Sequence, residues 1–223
     1  MIELLPWDTE FFGFRVGRLH ADALTHSVAS EAREWCRSHQ VSCLYFLGST
    51  NSPETPEGFR CVDERATYAW ESRSPEEISP SVRPFETEDL EELEAIARRS
   101  HRDTRFYADP LFDRKRCDEL YATWIRRSCE GWADAVFVCF DENRTAGYIT
   151  CRANSIGLVA VAECAQGRGL GRQLVRAAQR YFWTKGVARV EVVTQGRNHA
   201  ARRLYERCGF REKSTQRWYH LHV

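Results

Sequence analysis

The sequence predicts an α/β (α+β) protein: a C-terminal unit around a mixed central sheet, residues 82–223, preceded by a smaller αβ unit, residues 1–74. Three observations carry that expectation. The run VAECAQGRGLGRQLVRAAQRYF, Val161 to Phe182, takes an apolar strand into a glycine-rich turn and on into an amphipathic helix. A second β-branched strand, Val187 to Thr194, leads into NHAARRLYERCGF; there Asn198 is a good N-cap, Ala201, Leu204, Tyr205 and Cys208 recur at helical spacing, and Gly209 can end the helix. Between the units, SRSPEEISPSVRP gathers prolines and serines, so residues 75–81 read as a linker.

The elements follow in order. FFGFRVGRL suggests a strand, and Ser27 starts a helix to Ser38 with Val28, Ala32, Trp35 and Cys36 on one side. VSCLYFLG and GFRCVDERATYAW supply two more strands. After the linker comes a short strand, then a helix capped by Thr87, with acids in its first turn where the helix dipole favours them. A polar and aromatic connection, His101 to Phe112, precedes the helix CDELYATWIRRSCE. AVFVCF and AGYITCRA form a hairpin, and a turn at Asn154-Ser155 returns the chain into IGLVAV, the strand that feeds the glycine-rich turn.

The chain has 223 residues and a formal net charge of zero, unevenly spread. The first 100 residues hold 19 acids and 10 bases, whereas residues 163–223 hold 4 acids and 13 bases. The basic segment keeps regular strand and helix periods, so it reads as a folded anion-binding surface, with no nucleic-acid partner expected. The longest apolar runs, CLYFL and AVFVCF, are far short of a membrane span, and no membrane partner is expected. Nine cysteines stand singly with no CxxC pair, which predicts reduced thiols, no metal and a cytoplasmic location.

The glycine-rich turn is where the chemistry concentrates. Gly167, Gly169 and Gly171 free the backbone from Cβ clashes, and the turn aims unpaired N–H groups from a helix start toward an anion. Neither a P-loop nor a Rossmann turn fits. No Lys-Ser/Thr follows, and Arg172 and Leu174 stand where GxGxxG would need glycine. What remains is QxxGxG at Gln166, Gly169 and Gly171, followed one strand later by NxxAxxLYxxxGF from Asn198 to Phe210. Together they resemble the acetyl-CoA-binding motifs of the GNAT acyltransferases, over roughly residues 82–223. The order of strand, Asn51, Gly58-Phe59 and strand in the first unit repeats the C-terminal order, so that unit reads as a degenerate GNAT-like half without its phosphate turn.

The resemblance implies roles residue by residue. Acetyl-CoA is the co-substrate. Its pantetheine lies along the backbone of Val159, Ala160 and Val161, and its phosphates lie over Gln166, Gly167, Arg168, Gly169, Leu170, Gly171 and Arg172, with Asn198 also touching it. Tyr205 takes the place of the acid that protonates the leaving thiolate. The base is less defined: Val193 occupies the position where ribosomal-protein acetyltransferases carry Glu, and Glu163 is the acid nearest the thioester in sequence. WDTEFFGF, RFYADPLF with LYATWI, and VVTQGRN with STQRWY are further similar to the TDP-fucosamine acetyltransferase family. That likeness implies a nucleotide-sugar amine as acceptor and places His101, Asp103, Arg105, Phe106 and Asp109 on its pocket wall. A protein or peptide amine is the alternative acceptor, and a silent acyl-CoA-binding regulator the alternative class. A homodimer stays open.

Overall fold

The computed structural model describes residues 1–50, 55, 57–74 and 81–223; positions 75–80 of the expected linker, and Asn51, lie outside the described residues. Its elements run β1 (Ile2–Leu4), α1 (Pro6–Phe12), β2 (Val16–Leu19), α2 (His26–Ser38), β3 (Cys43–Ser49), β4 (Phe59–Glu71), β5 (Val82–Pro84), α3 (Leu90–Ser100), α4 (Arg105–Ala108), α5 (Arg114–Arg127), β6 (Ala135–Asp141), β7 (Arg144–Arg152), β8 (Ser155–Val161), α6 (Leu170–Thr184), β9 (Arg189–Gln195), α7 (His199–Arg207) and β10 (Arg211–His222). The strands form one mixed sheet in the order β1-β2-β3-β10-β4-β9-β8-β7-β6-β5.

That order crosses the expected linker. β4 precedes it in sequence, yet lies between β9 and β10, with Ala66 opposite Thr194 on one side and Thr215 on the other. β10 then pairs along β3 from Gln216↔Ser49 to His222↔Cys43. Strands from before and after residues 75–81 thus share one sheet.

Period-2 alternation sends the strand side chains to two cores. Tyr68, Trp70, Val190 and Val192 face α6 and α7, where Leu174, Phe182, Tyr205 and Phe210 close a back core. Tyr45, Val138, Tyr148 and Ala160 face α1, α3, α4 and α5, meeting Phe12, Phe106, Phe112, Leu120 and Ile125 in a front core. Leu44, Phe46, Tyr219 and Leu221 pack beneath α2.

Two helix starts differ from expectation. α2 is capped by Thr25, whose Oγ1 accepts the Val28 N–H at 3.2 Å, while Ser27 donates to Glu31. Ahead of α3, Thr87–Asp89 forms a 3₁₀ turn, and Asp89 accepts the Glu86 N–H at 2.9 Å while also pairing with Arg83. In both cases a neighbouring side chain reaches the orphan N–H groups better than the residue that was expected to.

The feature that positions the site is a wedge. β8 and β9 run parallel and pair only at Ser155↔Glu191 and Ile156↔Val192. Beyond that, the register of β8 against β7 jumps from Cys151↔Ile156 to Ile149↔Val159, which places an extra residue on β8. Thr150 drives the bulge: its Oγ1 accepts the Leu158 N–H at 2.8 Å and lies 2.6 Å from where a Cβ on Gly157 would sit. A side chain at 157 would collide with it, so glycine is required.

Candidate active site

The turn after β8 starts α6 without a side-chain cap. Gly169 is the N-cap in the left-handed region, φ 82°, and Gly167 lies there too, φ 79°. No atom lies within 4 Å of where a Cβ would sit on either glycine. The Leu170 and Gly171 N–H groups, in the first helical turn, have no carbonyl four residues back within the helix and stand at the positive end of its dipole. Gln166 ties the turn to the strand by donating from Nε2 to the Val161 carbonyl at 3.1 Å. Arg168 pairs with Asp141 at 2.6 Å on the rim, and Arg172 is exposed on the first turn.

One side of Val159, Ala160 and Val161 pairs with Ile149, Tyr148 and Gly147, and the other side opens into the wedge. α7 closes its back. Leu204 lies 3.2 Å from where a Cβ on Gly171 would be, so the Leu204-Tyr205 pair packs beside the phosphate-type turn. Asn198 caps α7 by accepting the Ala201 N–H at 3.0 Å. Tyr205 is 4% exposed, with its ring beside Tyr68 and Phe210. Burial pushes its phenol well above the usual value, so it stays protonated and available as a donor.

The front face of the sheet carries a polar cluster built from distant segments. The Arg105 guanidinium stands over Tyr45, Phe106 and Trp218, its carbon 3.9, 4.2 and 4.5 Å from the ring centres. Its Nη1 donates to His220 Nε2 at 2.9 Å. His220 Nδ1 meets Asp109 Oδ2 at 2.5 Å, His222 Nε2 meets the same oxygen at 2.8 Å, and the Leu111 N–H donates to Oδ1 at 3.0 Å. Burial works to raise the Asp109 carboxyl, but the hydrogen bonds from the two histidines overcome it and hold the group below the ordinary carboxylate range.

Asp63, opposite Trp218 in register, accepts the Glu64 N–H at 2.9 Å and Arg197 at 3.2 Å through Oδ1. Burial raises its pKa against the pull of Arg197 and, more weakly, of Arg105. Asp8 is also raised by burial and also feels the Arg105 charge. Two carboxylates thus share the field of one fixed guanidinium. This arrangement can bind a polar amine and accept its proton.

The wedge between parallel strands leads into the uncapped glycine turn, and α7 with its buried tyrosine packs beside that turn. The model of the Acetyltransferase (GNAT) family matches residues 88–210. The chain belongs to the GNAT acetyltransferase family. It is an acyl-CoA-dependent N-acetyltransferase. The dTDP-fucosamine acetyltransferase of Escherichia coli O6:H1 (strain CFT073) is 25% identical over 225 residues, covering 97% of this chain and 96% of that protein. The spore coat polysaccharide biosynthesis protein SpsD of Bacillus subtilis is 28% identical over 62% of this chain, a match spanning only about half (49%) of that relative. A mycothiol acetyltransferase of Rhodococcus erythropolis is 32% identical over 38% of this chain and 33% of its own length. Among solved structures, a GCN5-related N-acetyltransferase from Sphaerobacter thermophilus superposes with a TM-score of 0.61 at 18% identity, covering 99% of this chain and 76% of that one.

Within this GNAT frame the acceptor-side residues expected from sequence separate. Arg105 and Asp109 join one network. His101 stands apart from it, with Nε2 2.9 Å from the Tyr148 hydroxyl and its ring stacked on Tyr121, and burial lowers its pKa to about 4. Phe106 is a core ring beneath Arg105, and Asp103 is exposed. Glu163 is exposed on a 3₁₀ turn past β8, while Val193, 39% exposed, sits on β9 opposite Thr67. Sequence reasoning missed Asp8, Tyr45, Asp63, Trp218, His220 and His222. The last three carried a legible signal, since WYHLH on a strand puts Trp218, His220 and His222 on one face.

Proposed function

We propose that this GNAT enzyme transfers the acetyl group of acetyl-CoA to the 4-amine of a dTDP-linked 4-amino-4,6-dideoxyhexose. The observation that carries this reading is the extent of the match to the dTDP-fucosamine acetyltransferase. It includes β1 to β4, which lie outside the family match, and with them Asp8, Tyr45 and Asp63, which gather around Arg105 on the front face of the sheet.

The acceptor enters from the front and the thioester from the back. The neutral amine attacks the thioester carbonyl, and a backbone N–H at the β8 edge steadies the oxyanion, an effect worth about 3 kcal/mol where measured in other enzymes. As the new C–N bond forms and the C–S bond breaks, the amine gives up one proton and the thiolate takes one. Tyr205, held protonated by burial, supplies the thiolate's proton. Asp63 is better placed than Glu163 to take the amine's, because it is buried on the acceptor face with a raised pKa whereas Glu163 is exposed to water. The partial matches to mycothiol acetyltransferases favour, as the second reading, another small-molecule amine over a peptide.

Release of CoA thiol in the presence of acetyl-CoA and a dTDP-4-amino-4,6-dideoxyhexose, set beside a lysine peptide, tests the proposal. Turnover of the nucleotide sugar at least about 100-fold above the peptide is expected, equivalent to about 3 kcal/mol of transition-state discrimination. A preference for the peptide overturns it.

A further inference from the structure

We propose that Asp109 and His220 are positioning residues: they fix the Arg105 guanidinium at the acceptor mouth through a single allowed order of protons, Asp109 accepting from His220 and His220 accepting from Arg105. The proposal rests on the reading of this face as the acceptor site. A guanidinium has no acceptor and does not lose its charge in proteins, so the 2.9 Å contact requires a lone pair on His220 Nε2. The ring proton then belongs on Nδ1, where Asp109 receives it at 2.5 Å. An ionised Asp109 can accept from His220, from His222 and from the Leu111 N–H together. Every donor in the chain has one acceptor, and reversing any link puts two N–H groups face to face.

The geometry shows what this order accomplishes. Tyr45, Phe106 and Trp218 crowd the guanidinium, their ring centres 3.9, 4.2 and 4.5 Å from its carbon, but ring contacts offer no hydrogen bond to fix which way its N–H groups turn. The bond to His220 stops the turn. His220 is itself clamped, 1% exposed, with its ring 4.7 Å from Tyr45 and 5.7 Å from Phe112. Asp109, expected from sequence to touch the acceptor, thus acts two side chains away from it.

The same atoms invite a competing reading. The ligand atoms of Cys43, Asp109, His220 and His222 lie within 4.8 Å of one another, a donor set suited to zinc. Coordination by His220 Nδ1 would move its proton to Nε2 and set it against the Arg105 N–H at 2.9 Å, so the relay and a metal exclude each other.

The test has two arms. Nitrogen-15 NMR of histidine-labelled wild-type enzyme at neutral pH reads the His220 tautomer with no acceptor present, before and after addition of zinc chloride. Nδ1 protonated, Nε2 bare and no change with zinc are expected; a protonated Nε2, or loss of the Nδ1 proton on zinc addition, overturns the relay. The second arm is kinetic, with whichever amine the enzyme turns over. His220→Gln can present one acceptor and one donor in the same directions, whereas His220→Phe keeps the ring packing without either. His220→Phe should raise the acceptor KM about tenfold with the acetyl-CoA KM within twofold, and His220→Gln should restore it to within about threefold. Asp109→Asn, which removes the acceptor charge, is the second variant should His220→Phe fail to fold, and should raise the same KM. Equal effects of Gln and Phe, or a parallel loss of acetyl-CoA affinity, would show packing alone. Failure of dTDP-amino-sugars as substrates would remove the sugar reading and leave the tautomer result intact.

Discussion

His220 gives the protein an acid weakness that can be sized. Burial carries its pKa from an ordinary 6.5 down to about 4, against the upward pull of the Asp109 hydrogen bond and with a further push down from Arg105. In the unfolded chain the imidazole binds its proton near pH 6.5, while in the folded chain it stays neutral until about 4. Between those values the unfolded state holds the extra proton, so stability falls as pH falls. The gap from 6.5 to about 4, at about 1.4 kcal/mol per pH unit, comes to about 3 kcal/mol. Below that window Asp109 adds a loss of its own, since its depressed carboxyl stabilises the fold only while ionised. The assay is urea unfolding of the wild type and His220→Gln at pH 7 and pH 4. The wild type should lose about 3 kcal/mol more than the variant over that range, a relative midpoint shift of about 1 M urea for a slope of 2 to 3 kcal/mol/M. Parallel losses in the two proteins would refute a buried neutral His220.

Three further outcomes follow from the site. Gly169→Val forces a branched residue into a backbone at φ 82° and fills the space above the turn, so by calorimetry the folded variant should bind acetyl-CoA at least about 100-fold more weakly; unchanged affinity would remove the turn from the cofactor site. Tyr205→Phe keeps the ring between Tyr68 and Phe210 and should cut kcat about 100-fold with the acetyl-CoA KM within twofold, while a kcat within twofold of wild type would return Tyr205 to packing. Because the Asp63 carboxyl is raised and must be ionised to take a proton, kcat/KM should fall as pH drops through a value above that of an ordinary aspartate, and Asp63→Asn should erase that limb with a loss of about 100-fold at neutral pH; a retained limb would assign it to another group.

The donor half of the site was legible because its residues are neighbours in sequence. QGRGLG curls where its glycines allow, and the Leu204-Tyr205 pair returns to it on the second helix after the turn. The acceptor half was not legible, because topology assembles it. Asp63 reaches Arg197 and the field of Arg105 only through the insertion of β4 between β9 and β10, and no local spacing announces a strand that pairs with partners more than 100 residues away. His220 and His222 could be placed on one face by alternation, yet their partner Asp109 stands 111 residues from His220 on an unrelated connection. Phe106 illustrates a different limit: an aromatic residue in a polar loop looks like a stacking surface, but α4 turns it into the front core, where it supports Arg105 from below.

The central claim is acetyl transfer to a sugar amine, and the most direct measurement is the product itself. Incubation with acetyl-CoA and a panel of dTDP-linked 4-amino- and 3-amino-dideoxyhexoses, followed by mass spectrometry and proton NMR of the isolated nucleotide sugars, reads both the transfer and its position. The predicted result is a single acetyl group in amide linkage at C4 of a 4-amino sugar, with free CoA formed in equal amount. Acetylation at C3, on a hydroxyl, or on no member of the panel while acetyl-CoA is bound with normal affinity would contradict it.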